Sequence, residues 1–260
     1  MGGCNPMRQI ALAVASAALV LVAGASAAPA TPDVVAFNAA VKVVVDSHGR
    51  PTLVQASQDL PAAVRSAIEK RVASWQYSTG TRNGVSVPAT TYVFVGACAL
   101  PTADGKSYRM GVDFKGNGPR PNGRFGILPP PGYPMDMNRR GIGGTFLVDM
   151  RIGKDGRVTP VSIKPEQSDG AVGEEIFESA LRTWIASLRY EPETVASEAV
   201  ATSLRVPVTF VSYQHAGQSR IERKQKTLQQ SECQLAGAAQ PVLQAVALDT
   251  PVKVTPVPAG

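Results

Sequence analysis

Two β-branched runs, each broken by a Gly-containing turn, constrain this chain more than any other feature. Residues 41–46 read Val-Lys-Val-Val-Val-Asp and end at His48-Gly49-Arg50. Residues 145–152 read Thr-Phe-Leu-Val-Asp-Met-Arg-Ile and end at Asp155-Gly156-Arg157. Each pattern predicts a strand, a tight turn and a returning strand, at 52–56 and 158–163. A helical pattern follows each hairpin. In the first, Pro61 opens the run 62–74, at a position where proline's missing N–H costs nothing. Val64, Ile68, Val72 and Trp75 then form one apolar stripe. In the second, Ile176, Phe177, Ala180, Leu181, Trp184 and Leu188 form the equivalent stripe. Asp169, Glu174 and Glu175 stand near its start, where the helix dipole favours negative charge. The two helices leave through Trp75-Gln76-Tyr77 and Leu188-Arg189-Tyr190. A closing strand is expected at 91–97 and again at 204–213, where Val206, Val208 and Phe210 alternate. The expected fold class is therefore α+β: two units, each a β-hairpin, an amphipathic helix and a closing strand in a small antiparallel sheet. One such unit buries little by itself. Asp104-Gly105, between 92–100 and 106–114, predicts an extra hairpin strand on the first.

The amino-terminal residues bear on compartment. Arg8 precedes an apolar run at 10–28 that ends in Ala25-Ser26-Ala27. A positive start, an apolar stretch and a small-residue exit form a secretory signal pattern. An uncleaved inner-membrane anchor is the alternative, since about 20 apolar residues can span a bilayer. The alanine-rich composition and the Ala-x-Ala exit favour cleavage and a periplasmic chain. The expected organisation is a signal peptide at 1–28, a short lead at 29–40 and a first unit with its extra strand at 41–114. A linker at 115–132, a second unit at 133–213 and a tail at 214–260, polar and then rich in Ala, Pro and Val, complete it. The linker follows from composition, because 15 of the 34 residues 111–144 are Gly or Pro. The last twenty residues read as an unstructured or polyproline-like tail.

Chemistry is sparse. The only histidines are His48, in the first turn, and His215, beyond the last strand. No nucleophile elbow, zinc-protease motif or phosphate-cradling loop occurs. No enzyme activity, cofactor or metal is expected. The net charge of +6 is spread along the chain. Its densest cluster, Arg220, Arg223, Lys224 and Lys226 around Glu222, reads as a solvated face, and an exported chain has no nucleic-acid partner. Trp75 and Trp184 share helical stripes with Ile and Leu and read as core. Cys98 and Cys233 each follow one unit and, in an oxidising compartment, are expected to form a disulfide.

One ordered set of words is more specific. It comprises Tyr133-Pro134, Gly144, Lys154-Asp155-Gly156-Arg157, Phe177-x-x-Ala180-Leu181, Arg189-Tyr190-x-Pro192 and Val206-Pro207-Val208-Thr209-Phe210. Over about 129–213 the chain resembles the carboxy-terminal domain of the TonB energy-transducing proteins; 41–95 resembles it more weakly and lacks the Tyr-Pro start. The resemblance implies a non-enzymatic binding module whose final strand accepts a short extended segment of an outer-membrane TonB-dependent receptor, or of another envelope protein. The matching positions are Leu204, Val206, Val208 and Phe210, with Tyr133 and Pro134 close by. The family's transducers also carry a long Pro-rich spacer; residues 29–36 are far too few, which implies binding without full energy transduction. The competing expectation is a structural envelope protein whose tandem domains self-associate, within the chain or as a homodimer.

Overall fold

The computed structural model describes residues 36–102, 108–123, 128–168, 173–211 and 245–257. All of them belong to one unit, 33–260. The signal segment, the 104–105 turn, Asp169, His215, the basic cluster and Cys233 lie outside the described residues. Among the described residues, no helix is long and apolar enough to cross a membrane.

The chain opens with β1 (Ala36–Val45) and β2 (Pro51–Ala56), paired antiparallel. Strand therefore starts within the segment expected as a lead. The turn forms because the Asp46 carboxylate accepts the N–H groups of His48 (2.8 Å) and Arg50 (2.9 Å), while Gly49 takes φ +78°. Helix α1 (Ala62–Ala73) begins directly after Pro61 and buries Ile68 and Val72. Then come β3 (Gln76–Tyr77), the small hairpin β4 (Gly80–Arg82) and β5 (Val85–Val87), and the long β6 (Ala89–Pro101). β7 (Tyr108–Gly118) returns along β6. It runs through the start of the expected linker, and β8 (Arg120–Pro121) follows. Gly116 makes this possible: at φ +150° it sits where the β6–β7 register slips by one residue. Composition signalled the glycines but not that a bulged strand uses them.

The second half begins with a short helix, α2 (Met135–Arg139), then β9 (Gly144–Ile152) and β10 (Val158–Ser168). Helix α3 (Glu174–Ser187) buries Phe177, Leu181, Trp184 and Ile185 against them. β11 (Tyr190–Glu191), the hairpin of β12 (Thr194–Val195) and β13 (Glu198–Ala199), and β14 (Thr202–Phe210) follow. Two short strands close the chain, β15 (Val246–Ala247) and β16 (Val254–Thr255).

The architecture is α+β, built from antiparallel sheets. One sheet runs β13-β12-β6-β1-β2 with β7 also on β6, and another runs β10-β9-β14-β15. Each has its own apolar core. Val41, Val43, Ile68, Val72, Trp75 and Val93 belong to the first. Phe146, Val148, Phe177, Leu181, Val206 and Phe210 belong to the second. The halves interlock. β12 pairs with Ala89 and Thr90, at the end of β6 that β7 leaves unpaired, and β11 pairs with β8.

A candidate partner-binding edge

β14 carries the site expected from sequence. Its residues alternate strictly: Thr202, Leu204, Val206, Val208 and Phe210 are buried, whereas Arg205, Pro207 and Thr209 are exposed. The four expected contact side chains thus belong to the second core, where Val206 faces Val148 and Val208 faces Phe146 across the pair with β9. Any guest on this strand meets its backbone and its outward residues instead. Tyr133 is drawn into the same core. Its ring lies edge-on to Phe210 at 5.4 Å and to Phe177 at 6.0 Å, and its hydroxyl donates to the Ile142 carbonyl at 2.7 Å. Pro134 precedes α2 in extended conformation. The structure therefore brings Tyr133 and Phe210 together, as packing partners. Beside them, an open groove of about 870 Å³ runs between 129–134 and α3. It is lined by Pro130, Tyr133, Pro134, Ile176 and Trp184, and the Trp184 indole N–H donates to the Pro129 carbonyl at 2.8 Å.

The outer edge of β14 is occupied near its start. β15 pairs there antiparallel, Leu204 opposite Ala247 and Arg205 opposite Val246. The expected unstructured tail is therefore folded over 245–257. Leu248 N–H donates to the Ser203 carbonyl at 2.9 Å, and the Ser203 N–H donates to the Asp249 carboxylate. Ser203 thus directs both backbone groups away from β9. Backbone direction alternates along a strand, so Arg205, Pro207 and Thr209 address the same outer edge. Pro207 offers a carbonyl there but no N–H.

Three features hold the tail segment. Ala247 lies over Gly118 of β7 so closely that a Cβ on Gly118 would stand 2.9 Å from the Ala247 Cβ. Asp249 accepts the Ser203 hydroxyl at 3.0 Å and lies 3.6 Å from the Arg151 guanidinium on β9. Thr250 enters a buried polar knot around Glu193, a fully buried residue. The Glu193 carboxylate accepts hydroxyls from Thr91 (2.6 Å), Thr250 (2.7 Å) and Thr202 (3.2 Å). The Asn117 amide donates to Thr91, Thr250 and the Val252 carbonyl. Burial pushes the Glu193 carboxyl above its ordinary range, the three hydroxyls oppose that shift, and the charge of Asp249 adds to it. Beyond the knot Val252 is fully buried in the first core and β16 pairs with β3. One short segment therefore ties both sheets together.

On the outward face Arg205 grips Asp149 through two hydrogen bonds of 2.7 and 3.0 Å. That contact holds the Asp149 carboxyl below its usual range. Among the described residues no group of three His, Cys, Asp or Glu side chains could hold a metal ion. His48 lies in its turn with its backbone N–H on Asp46.

Sequence reasoning passed over Gly118, Asn117, Arg151, Glu193, Ser203 and Asp249. A clue was present at 246–249, Val-Ala-Leu-Asp, where apolar residues flank a small one ahead of an acid. Four residues are too few to establish a strand period.

In comparison with known proteins, residues 129–212 match the family model described as Gram-negative bacterial TonB protein C-terminal. The chain therefore carries a TonB C-terminal-like domain over that span. No curated protein matches the chain.

Proposed function

We propose that the TonB C-terminal-like domain makes this chain a periplasmic binding module. The outer edge of β14 captures an extended segment of an outer-membrane TonB-dependent receptor, or of another envelope protein, by strand addition. It does so without full energy transduction. The observation that carries this reading is the pairing of Leu204 and Arg205 with Ala247 and Val246: this edge engages a short extended segment through main-chain bonds. The buried alternate side chains Leu204, Val206, Val208 and Phe210 seat the strand on the second core, with Tyr133 packed on Phe210 and Pro134 just before α2. Titration of isotope-labelled mature chain with a peptide from a receptor's periplasmic segment tests it. Shifts on 203–209 and 245–249 are expected; shifts confined to 36–102, or none at millimolar peptide, refute it.

The first half is, on this reading, a divergent copy of the second. Gly49 (φ +78°) and Gly156 (φ +75°) sit in like turns, and a Cβ on either would run into a backbone carbonyl, of Tyr77 and Tyr190 respectively. Asp46 N–H bonds Arg50 O at 2.9 Å and Gly153 N–H bonds Arg157 O at 2.8 Å, closing the two turns alike. A disulfide between Cys98, fully buried on β6, and Cys233 belongs to the same proposal. So does export by a signal peptide at 1–28.

A second reading, a structural envelope protein whose tandem units associate, draws on the pairing of β12 with β6 and of β11 with β8. Binding of no envelope protein by the mature chain, together with homodimers in sedimentation, favours it.

A further inference from the structure

We infer that the outer edge of β14 is selective for extended segments that set a small residue opposite Leu204 and an acidic residue two positions later. Residues 245–249 are the resident occupant that such a partner displaces. This deepens the strand-addition reading above and rests on it.

The resident segment and the anchored Thr250 after it read Ala-Val-Ala-Leu-Asp-Thr. Its antiparallel register sets Ala247 opposite Leu204, with its side chain against the second core and over Gly118. A Cβ on Gly118 would already stand 2.9 Å from the Ala247 Cβ, so β7 limits the room for a residue larger than alanine at that place. Val246 and Leu248 point the other way and are exposed, so those positions tolerate variety. Asp249 then leaves the strand path, and its carboxylate replaces a backbone acceptor for the Ser203 N–H. The same carboxylate takes the Ser203 hydroxyl and faces Arg151, which itself donates to that hydroxyl at 3.0 Å. A lysine or leucine in this place would leave the Ser203 N–H without its partner and set a cation or an alkyl chain against a guanidinium. Selectivity thus comes from one steric and one electrostatic requirement, both read at the edge. Backbone bonds supply the rest. The segment is displaceable because its strand pairing on this edge spans two residues, while the deeper anchors, Thr250 on Glu193 and Val252 in the first core, lie outside the edge and stay in place.

The test uses the mature chain with A247R and D249A together, which loosen the resident strand and leave Val252 in place. The probe is a fluorescent peptide, Ala-Val-Ala-Leu-Asp-Thr, followed by anisotropy. The loosened chain should bind it about tenfold more tightly than wild type, because the edge no longer has to be vacated first. Adding R151E should reverse the preference, favouring a peptide with Lys in place of Asp. Failure of the loosened chain to bind, or equal binding of the Asp and Lys peptides, overturns the inference. Should that chain not fold, amide exchange on wild type decides: excess Asp peptide is expected to speed exchange at Leu248, and unchanged exchange overturns the inference. If the Asp peptide binds while receptor segments do not, the selectivity stands and the receptor reading falls.

Discussion

Alanine at Gly156 is the perturbation whose cost the structure lets one divide. Gly156 holds φ +75°, and its added Cβ would strike the Tyr190 carbonyl. Its own carbonyl accepts the Tyr190 N–H at 3.0 Å. The left-handed conformation costs alanine roughly 1–2 kcal/mol. Moving Tyr190 aside sacrifices the hydrogen bond, roughly another 1 kcal/mol. Gly84 supplies the control: it has φ +77°, and a Cβ there would meet nothing within 4 Å, so G84A bears the backbone cost alone. Urea unfolding of both variants should therefore place G156A below G84A by at least about 1 kcal/mol. In a body of this size that difference lowers Tm by a further ~2–4 °C. G49A, whose Cβ meets the Tyr77 carbonyl, should resemble G156A. Equal losses for G84A and G156A, within about 0.5 kcal/mol, would refute the idea that each turn is seated against the strand leaving its helix.

Other outcomes follow from the same structure. Burial raises the Glu193 carboxyl above its unfolded value, so the folded chain binds the extra proton and stability falls as pH rises through the window between the two values. E193Q should abolish that fall, seen as a wild-type minus variant stability that declines from pH 4 upward, by at most about 1.4 kcal/mol per pH unit. R205A should move the Asp149 carboxyl resonance to titrate at higher pH, since the Arg205 hydrogen bonds are the largest cause of its lowered value. Protein recovered from periplasm should have an intact mass that begins near Ala28; full-length mass found only in membranes would support the anchor instead. Thiol counting on that material under denaturing, non-reducing conditions should find Cys98 and Cys233 unreactive, and two free thiols would rule out their bridge.

The local elements were legible because each is encoded by neighbours. β-branched runs around Gly49 and Gly156 specify hairpins, and stripes such as Phe177, Leu181 and Trp184 specify a helix with one buried face. Alternation at Leu204, Val206, Val208 and Phe210 specified a strand, yet alternation alone does not say which set faces a partner. The second core claims the apolar set, leaving backbone, Arg205 and Thr209 to the outside. Glycine and proline content over 111–144 suggested a linker at 115–132, but Gly116 serves a bulge between β6 and β7, and Gly118 a close approach that only the arrival of Ala247 from far along the chain makes necessary. Glu193, with Thr91, Asn117, Thr202 and Thr250 drawn from distant elements, had no sequence period to reveal it. A buried carboxylate is tolerable only where several donors converge, and convergence is a property of three dimensions.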